Sequence, residues 1–469
     1  MSAQITFGTD GWRGLIGRDF TFANVRRVTQ AISSYLDTTY DRSRSVLVGY
    51  DTRFLADEFA RHAAAILASE GWTTYVSDRD CPTPAIAFAA RDRDTAGALM
   101  FTASHNPPEY CGIKYIPDYA GPATTDITNT IVAAIPDVAP ERVESETPVL
   151  SFNPQPDYLA FIYSQLDLDC LRAARLPVVY DALYSTSRGY LDAALHHCGC
   201  QVDVLHDWRD VLFGGGMPEP KPAQLQAAIA RIRKTGAQLG MATDGDSDRY
   251  CVLDETGRAI EPNVVMLMLA RYLVEHRGYK GAIVKTVATT QLLDRLAAQL
   301  GVDIIETPVG FKYIGHQMRQ TPALIGGEES GGLSIFGHIP EKDGVLANLL
   351  VAEMMARTGK PLSVLAKDAI AAVEGPLFNH RTDLRLTPAR KIAVIEAFRH
   401  EPPASVAGIP VRSIGTKDGI KLYLDGGAWI LLRPSGTEPL IRLYVEAPDL
   451  DSQQAIVKAM KAHIAAVSP

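Results

Sequence analysis

The stretch Ala98-Leu99-Met100-Phe101-Thr102-Ala103-Ser104-His105-Asn106-Pro107 reads as a short buried strand that hands a serine to a polar loop. Two later stretches repeat it. Leu239 to Ala242 runs into Thr243-Asp244-Gly245-Asp246, and Ala323 to Ile325 into Gly326-Gly327-Glu328-Glu329-Ser330. Upstream of each lies one layout. A first apolar strand (Val46 to Asp51, Val178 to Asp181, Ala282 to Lys285) precedes a helix-period stretch (Glu58 to Ser69, Arg188 to His197, Gln291 to Leu300). Each stretch stops at a glycine, Gly71, Gly199 or Gly301, the residue type that suits the left-handed position after a helix. A second strand follows at Thr73 to Val76, Gln201 to Leu205 and Val302 to Ile305. Apolar strands alternating with amphipathic helices predict βαβ units and mostly parallel sheets, whose ligands bind beyond the carboxyl ends of the strands. If the three loops converge, one pocket holds a nucleophile, a metal site and a polyol-binding loop.

The last hundred residues break this pattern. Gly419 to Leu424, Ala428 to Leu432 and Leu440 to Glu446 read as antiparallel neighbours, with Asp425-Gly426-Gly427 as a hairpin turn and a helix from Ser452 to Val467 closing the chain. That is a smaller α+β domain. The Pro-rich stretch from Thr147 to Pro156 reads as a linker, and softer breaks fall near 255 and 372. The expected division is 1–150, 151–255, 256–371 and 372–469.

Bulk properties narrow the function classes. A chain of 469 residues exceeds what one core supports. Its net charge of −8 argues against nucleic-acid binding, which needs a basic face, but leaves room for a small anion held by a local arginine cluster. The six cysteines lack CxxC or zinc-ligand spacing, and Cys198 and Cys200 read as buried small hydrophobes. The first residues carry no basic region followed by an apolar one, and no apolar run is long enough to span a bilayer, so a cytoplasmic location is expected.

Chemistry concentrates in the loops. Asp244-Gly245-Asp246-Ser247-Asp248-Arg249 sets carboxylates at alternate positions, the oxygen ligands that hard ions such as Mg²⁺ take. Glu255 completes the spacing of a calcium EF-hand, yet Arg249 stands where that loop needs glycine and the flanks read as strands, so an EF-hand is excluded. Ser104 and His105 are no hydrolase pair, because there is no GxSxG elbow and adjacent side chains on extended backbone point apart. Standing alone, Ser104 to Pro107 would read as a capping turn. Beside a metal loop the serine reads as a phosphoryl carrier, whose charge of about −1.5 to −2 a divalent cation and a lysine would balance, with Lys114 the nearest. Arg433-Pro434-Ser435-Gly436-Thr437-Glu438 combines a guanidinium, hydroxyls and glycine-exposed amides into a phosphate cradle. Glu328 and Ser330 offer an acceptor and a donor for neighbouring sugar hydroxyls.

In this order the four motifs resemble the α-D-phosphohexomutase superfamily, which includes phosphoglucomutase and phosphomannomutase. The resemblance spans the chain, from Gly8-Thr9-Asp10-Gly11-Trp12-Arg13-Gly14 to the Arg433 loop. It implies three similar α/β/α domains with mixed, mostly parallel sheets and a C-terminal α+β domain, heart-shaped around a central cleft. It implies that Ser104 is phosphorylated and that Asp244, Asp246 and Asp248 bind Mg²⁺ together with its phosphate. Glu328 and Ser330 would bind sugar hydroxyls, and Arg433, Ser435, Gly436 and Thr437 the phosphate of the substrate. Arg13, Lys114, Arg249 and Lys285 match basic positions lining such clefts, and His105 matches the residue after the phosphoserine. Gly310 and Lys312 in Thr307 to Lys312, and Lys342 in His338 to Gly344, lie in substrate-binding segments similar to the phosphoglucomutase branch. Other branches usually carry a histidine shortly after the sugar-binding serine, where this chain has Gly331-Gly332. The cradle also has glycine where the Arg-x-Ser-Asn-Thr version has asparagine, so no asparagine contact is expected there.

The expected activity is reversible phosphoryl transfer between the 1- and 6-positions of a hexose phosphate, glucose first, through a bound hexose 1,6-bisphosphate. One rival is a glucose 1,6-bisphosphate synthase that releases the bisphosphate. Another is a non-catalytic sugar-phosphate sensor, against which the intact Ser104 and aspartate triplet argue. Small sugar phosphates, not nucleic acid or membrane, are the expected partners of a monomer or weak homodimer. The acid/base group stays open among His105, Lys114 and Lys342.

Overall fold

The computed structural model describes residues 5–8, 10–139, 147–436 and 438–467. Three α/β domains follow one plan. In the first, Ala98–Phe101 lies between Val46–Tyr50, which it parallels, and Tyr110–Ile116, which runs back antiparallel. In the second, Leu239–Thr243 lies between parallel Pro177–Asp181 and antiparallel Tyr250–Leu253. In the third, Ala323–Gly327 lies between parallel Ala282–Thr286 and antiparallel Leu333–Ile335. All three central strands are buried along their whole length, which is why they read as unbroken apolar or small-residue runs. Each polar loop is therefore the connection from a central parallel strand to its antiparallel neighbour. The same topological step, taken three times, brings three loops to equivalent strand ends.

The helices Ala56–Ser69, Leu191–His197 and Leu292–Leu300 follow the first strands, and the glycines after them sit at left-handed φ of 91° (Gly71), 79° (Gly199) and 65° (Gly301). The second helix begins after the expected Arg188. Upstream, the Ser185 and Ser187 hydroxyls bond Thr243 in the neighbouring strand and hold that segment as a turn. The third unit's second strand is Ile304–Thr307, two residues beyond the expected start.

The expected linker is not a free connection. Leu150–Phe152 adds a parallel edge strand beside Thr74–Ser77, and the helix Gln155–Ser164 follows, with its prolines at the first turn where a missing N–H costs no intrahelical bond.

The last domain is a six-stranded antiparallel sheet. Phe378–Arg385, Leu440–Ala447, Trp429–Pro434, Ile420–Leu424, Ile409–Gly415 and Ser405–Val406 lie side by side in that order, backed by helices Pro388–His400 and Leu450–Ala466. One continuous apolar core runs through the first three domains, from Leu47 and Met100 through Tyr180 and Met241 to Leu324 and Leu350. The last domain has its own core around Ile420, Ile430, Leu443 and Ile456. It meets the third domain across a small cluster of Val287, Ala288, Trp429, Leu431 and Tyr444. No helix among the described residues is long and apolar enough to cross a membrane.

Candidate active site

The three loops and the edge of the last sheet line one cleft of about 1630 Å³. Ser104 sits on its floor, buried, with φ of 53°. That left-handed conformation costs a non-glycine residue about 1–2 kcal/mol. It is also why Ser104 and His105 do not point apart as extended backbone would require: Ser104 Oγ lies 3.3 Å from His105 Nδ1. The same hydroxyl donates to Asp244 Oδ2 at 2.8 Å, across the joint between the first two domains. Gly245 permits the approach, since a Cβ there would stand 2.6 Å from the Ser104 carbonyl oxygen.

Behind the serine, Asp244, Asp246 and Asp248 are fully buried, each with a carboxylate oxygen within 4.8 Å of the others. Lys114 Nζ donates to Asp246 at 2.9 Å and Asp248 at 3.1 Å and pairs with Asp10 at 2.9 Å. Lys342 Nζ pairs with Asp248 at 3.1 Å and Asp10 at 3.5 Å. Burial opposes charge on both lysines, but the Asp10 and Asp248 carboxylates outweigh it and hold their pKa values above the usual range. Burial would likewise raise Asp246, yet Lys114 and the Thr83 hydroxyl hold it below its ordinary value. Asp244 has no such lysine. Burial first, then Asp248 and Asp246, push its pKa well up. The Oδ1 atoms of Asp246 and Asp248 are buried without a hydrogen-bond partner. Crowded carboxylates with unfilled lone pairs are a donor set suited to a hard divalent cation.

His105 lies on the cleft wall. Arg249, then burial, then Arg13 hold its pKa well below the ordinary imidazole value. Arg13 is anchored through Nη1 to Asn106 Oδ1 at 2.6 Å. The Arg249 Nε is buried without a partner and stands 4.0 Å from Asp248.

The third loop folds onto itself. Glu328 Oε1 accepts the Gly310 N–H at 3.0 Å, and Oε2 lies 3.4 Å from Ser330 Oγ. Burial raises the Glu328 carboxyl to about 7. Gly332 is forced: a Cβ there would meet Lys342 Cδ at 2.5 Å and Cγ at 2.8 Å, against the stem of a lysine anchored at its tip. Gly332→Ala should therefore displace Lys342 from Asp248, costing about 1–3 kcal/mol of stability in thermal unfolding and lowering kcat/KM about tenfold. Lys312 lies at the cleft with its ammonium 5.2 Å from the Tyr313 ring centroid.

The fourth wall is cationic. Arg433, which lines the cleft, is pinned through Nε to Asp418 Oδ2 at 2.7 Å. The same Asp418 oxygen accepts the Val309 N–H of the third domain at 2.9 Å, one residue before the Gly310 N–H that Glu328 accepts. Ser435 is buried and its Oγ accepts the Glu438 N–H at 3.2 Å, while Gly436 lines the cleft. Thr437 lies outside the described residues.

Two expectations are corrected. Lys114 does not line the cleft but is buried beneath it on Asp10, Asp246 and Asp248. Lys285 does not line the cleft; it is buried, bonded to the Thr290 carbonyl at 3.0 Å and to Asp294, because its side chain leaves the sheet toward the following helix. Sequence reasoning also missed residues. Arg381 and Arg442 join Arg433 at the cleft, and Arg442 pairs directly across the sheet with Arg433, a relation visible only once strand register is known. Asp10 stands inside the first glycine-rich motif, but its pairing with both lysines carries no local signal.

Comparison with known proteins assigns this architecture. Models for the phosphoglucomutase/phosphomannomutase α/β/α domains I, II and III match residues 4–141, 156–257 and 261–373, and that of the C-terminal domain matches 382–463. A phosphoglucomutase/phosphomannomutase of Thermococcus kodakarensis is 29% identical over 444 residues, 94% of each chain. A phosphoglucosamine mutase of Moorella thermoacetica is 30% identical over 473 residues, 97% of this chain and 98% of that one. The crystal structure of a Thermus thermophilus protein described as a phosphomannomutase superposes with a TM-score of 0.88 at 34% identity, covering 99% of this chain and 100% of that one. The chain belongs to the phosphoglucomutase/phosphomannomutase family, and it is an enzyme of the phosphohexomutase type.

Proposed function

We propose that this enzyme interconverts hexose 1-phosphate and hexose 6-phosphate, glucose foremost, with phospho-Ser104 as donor and a hexose 1,6-bisphosphate held in the cleft between the two transfers. The observation that carries the reading is the Ser104 hydroxyl on Asp244 at the cleft floor, facing a wall of arginines on the last domain. Asp244, Asp246 and Asp248, with the phosphate on Ser104, would hold Mg²⁺, which when bound neutralises charge on the transferring phosphoryl group. Lys114 and Lys342 keep the acidic cluster compensated and hold their protons among carboxylates. His105, beside the hydroxyl and open to the cleft, is then the group placed to take the proton of the attacking sugar hydroxyl and return it. Glu328 and Ser330 read sugar hydroxyls near the middle of the path. Arg433, Ser435 and Gly436, joined by Arg381 and Arg442, grip the phosphate that is not reacting. Because this grip accepts either phosphate, the bisphosphate can let go, turn over and rebind with its ends exchanged, so that one serine serves both ends of the molecule.

The Gly331-Gly332 turn, which puts no histidine after Ser330, supports glucose over hexoses read by a histidine there. The test is a panel of glucose, mannose and glucosamine 1-phosphates with catalytic glucose 1,6-bisphosphate, followed by phosphorus NMR and intact-mass analysis. Conversion to the 6-phosphate, fastest for glucose, with phosphate on Ser104 and no net bisphosphate gain, is the expected result. Accumulating bisphosphate would make the enzyme a synthase. A protein that never acquires phosphate would be a sensor.

The Glu328 carboxylate gives a pH signature. Its pKa of about 7 means that it is a full acceptor only above that value, so kcat/KM should fall as pH drops below about 7. In Glu328→Gln, kcat/KM should be lower at high pH and lose that limb of the profile.

A further inference from the structure

Ser104 holds an unfavourable backbone angle, and no glycine or asparagine at that position explains it. The cause lies on the preceding strand end. Arg53 is fully buried in the first domain, with its guanidinium turned into the underside of the serine loop. Nη2 donates to the carbonyls of Ser104 and Asn106, both at 2.7 Å, and Nη1 to those of Pro107 at 2.7 Å and Tyr110 at 2.9 Å. Nε is held by Asp51 Oδ2 at 3.0 Å, which fixes the plane of the fork and balances its charge. Phe213 of the second domain covers the guanidinium at 5.2 Å. One side chain therefore gathers four carbonyls of the loop into a ring. Through Asn106, whose side chain takes Arg13, it reaches a cleft cation as well.

We propose that Arg53 is a positioning residue for phosphoryl transfer, imposing the left-handed backbone of Ser104 that sets its Oγ on Asp244. Arg53 lies beneath the loop, so it acts through the backbone and does not touch substrate. The proposal rests on Ser104 being the phosphoryl carrier.

A fork of five N–H groups has no substitute in a point-charge ammonium. Arg53→Lys should lower kcat about 100-fold, as expected for an ångström-scale misplacement of the nucleophile, with KM within about threefold because the sugar and phosphate grips lie on other domains. Arg277→Lys is the control. Arg277 bonds buried Glu353 and the Gln165 carbonyl away from the cleft, so this variant should lose thermal stability without losing kcat. Asp51→Asn, isosteric, loosens the fork and should give a kcat-only fall of about tenfold; it decides the matter if Arg53→Lys yields no folded protein. Wild-type kcat in a folded Arg53→Lys or Asp51→Asn, or an equal fall in kcat in Arg277→Lys at matched loss of stability, overturns the proposal. Intact-mass analysis of wild type separates the two failures. Absence of phosphate on Ser104 defeats the carrier reading, whereas phosphorylated wild type with fully active variants defeats the role of Arg53 alone.

Discussion

Ser104→Ala is expected to reduce kcat by a factor on the order of 10⁴ or more while leaving the protein folded. The loss is large because no second nucleophile stands at the same place. The hydroxyl of neighbouring Thr102 is engaged by the Ser104 backbone N–H at 2.8 Å. Without the relay, the proposed transfer has no protein group to carry the phosphoryl between the two ends of the sugar. Stability should change little, because the bonds that shape the loop run to backbone atoms of residues 104 to 110, and these survive the substitution. The lost contacts are the hydrogen bond to Asp244, about 1 kcal/mol, and the longer one shared with His105 Nδ1. Steady-state kinetics and intact mass after incubation with glucose 1,6-bisphosphate check both halves. Turnover within a hundredfold of wild type would end the covalent scheme.

Asp246→Asn is the second large effect. Asparagine preserves the shape, and its carbonyl can still accept from Lys114 and Thr83, which bind Oδ2 at 2.9 and 2.6 Å. What changes is Oδ1, the buried oxygen without a partner, which becomes an NH₂ directed at the place where a cation would sit. Calorimetric Mg²⁺ affinity should drop at least about 100-fold, and kcat about 10³-fold, with no recovery at high Mg²⁺. Chelation of wild type should abolish activity, and added Mg²⁺ should restore it. An Asp246→Asn enzyme with wild-type Mg²⁺ affinity would show that the triplet serves only to compensate Lys114 and Lys342.

The loops were legible because doubly covered parallel strands are continuous apolar runs, and a polar cluster after such a run announces its carboxyl end. Ala98 to Phe101 and Leu239 to Ala242 show this, and their buried neighbours explain it. Side-chain direction was not legible. Lys285 ends such a strand, yet it turns to Asp294, and nothing in the string Val284-Lys285-Thr286 says which face it takes. Arg442 and Asp418 were hidden for a related reason, since their partners Arg433 and Val309 depend on strand register and on how two domains abut. The backbone of Ser104 departs from the extended expectation because its left-handed angle is imposed from a distance by Arg53, not chosen by the residue itself.

The continuous core beneath the first three domains has a thermodynamic consequence. Sub-global opening follows cooperative units, and here the serine and aspartate loops belong to one unit while the arginine wall belongs to another, joined by a small apolar cluster and a few polar bonds. Hydrogen exchange should therefore detach the last sheet as a body before it disturbs the floor of the cleft. The ordering of the metal end is settled once, at folding. On the proposed function, the arginine wall is the part that can let go between turnovers, and weakening that small seam should speed the departure of product.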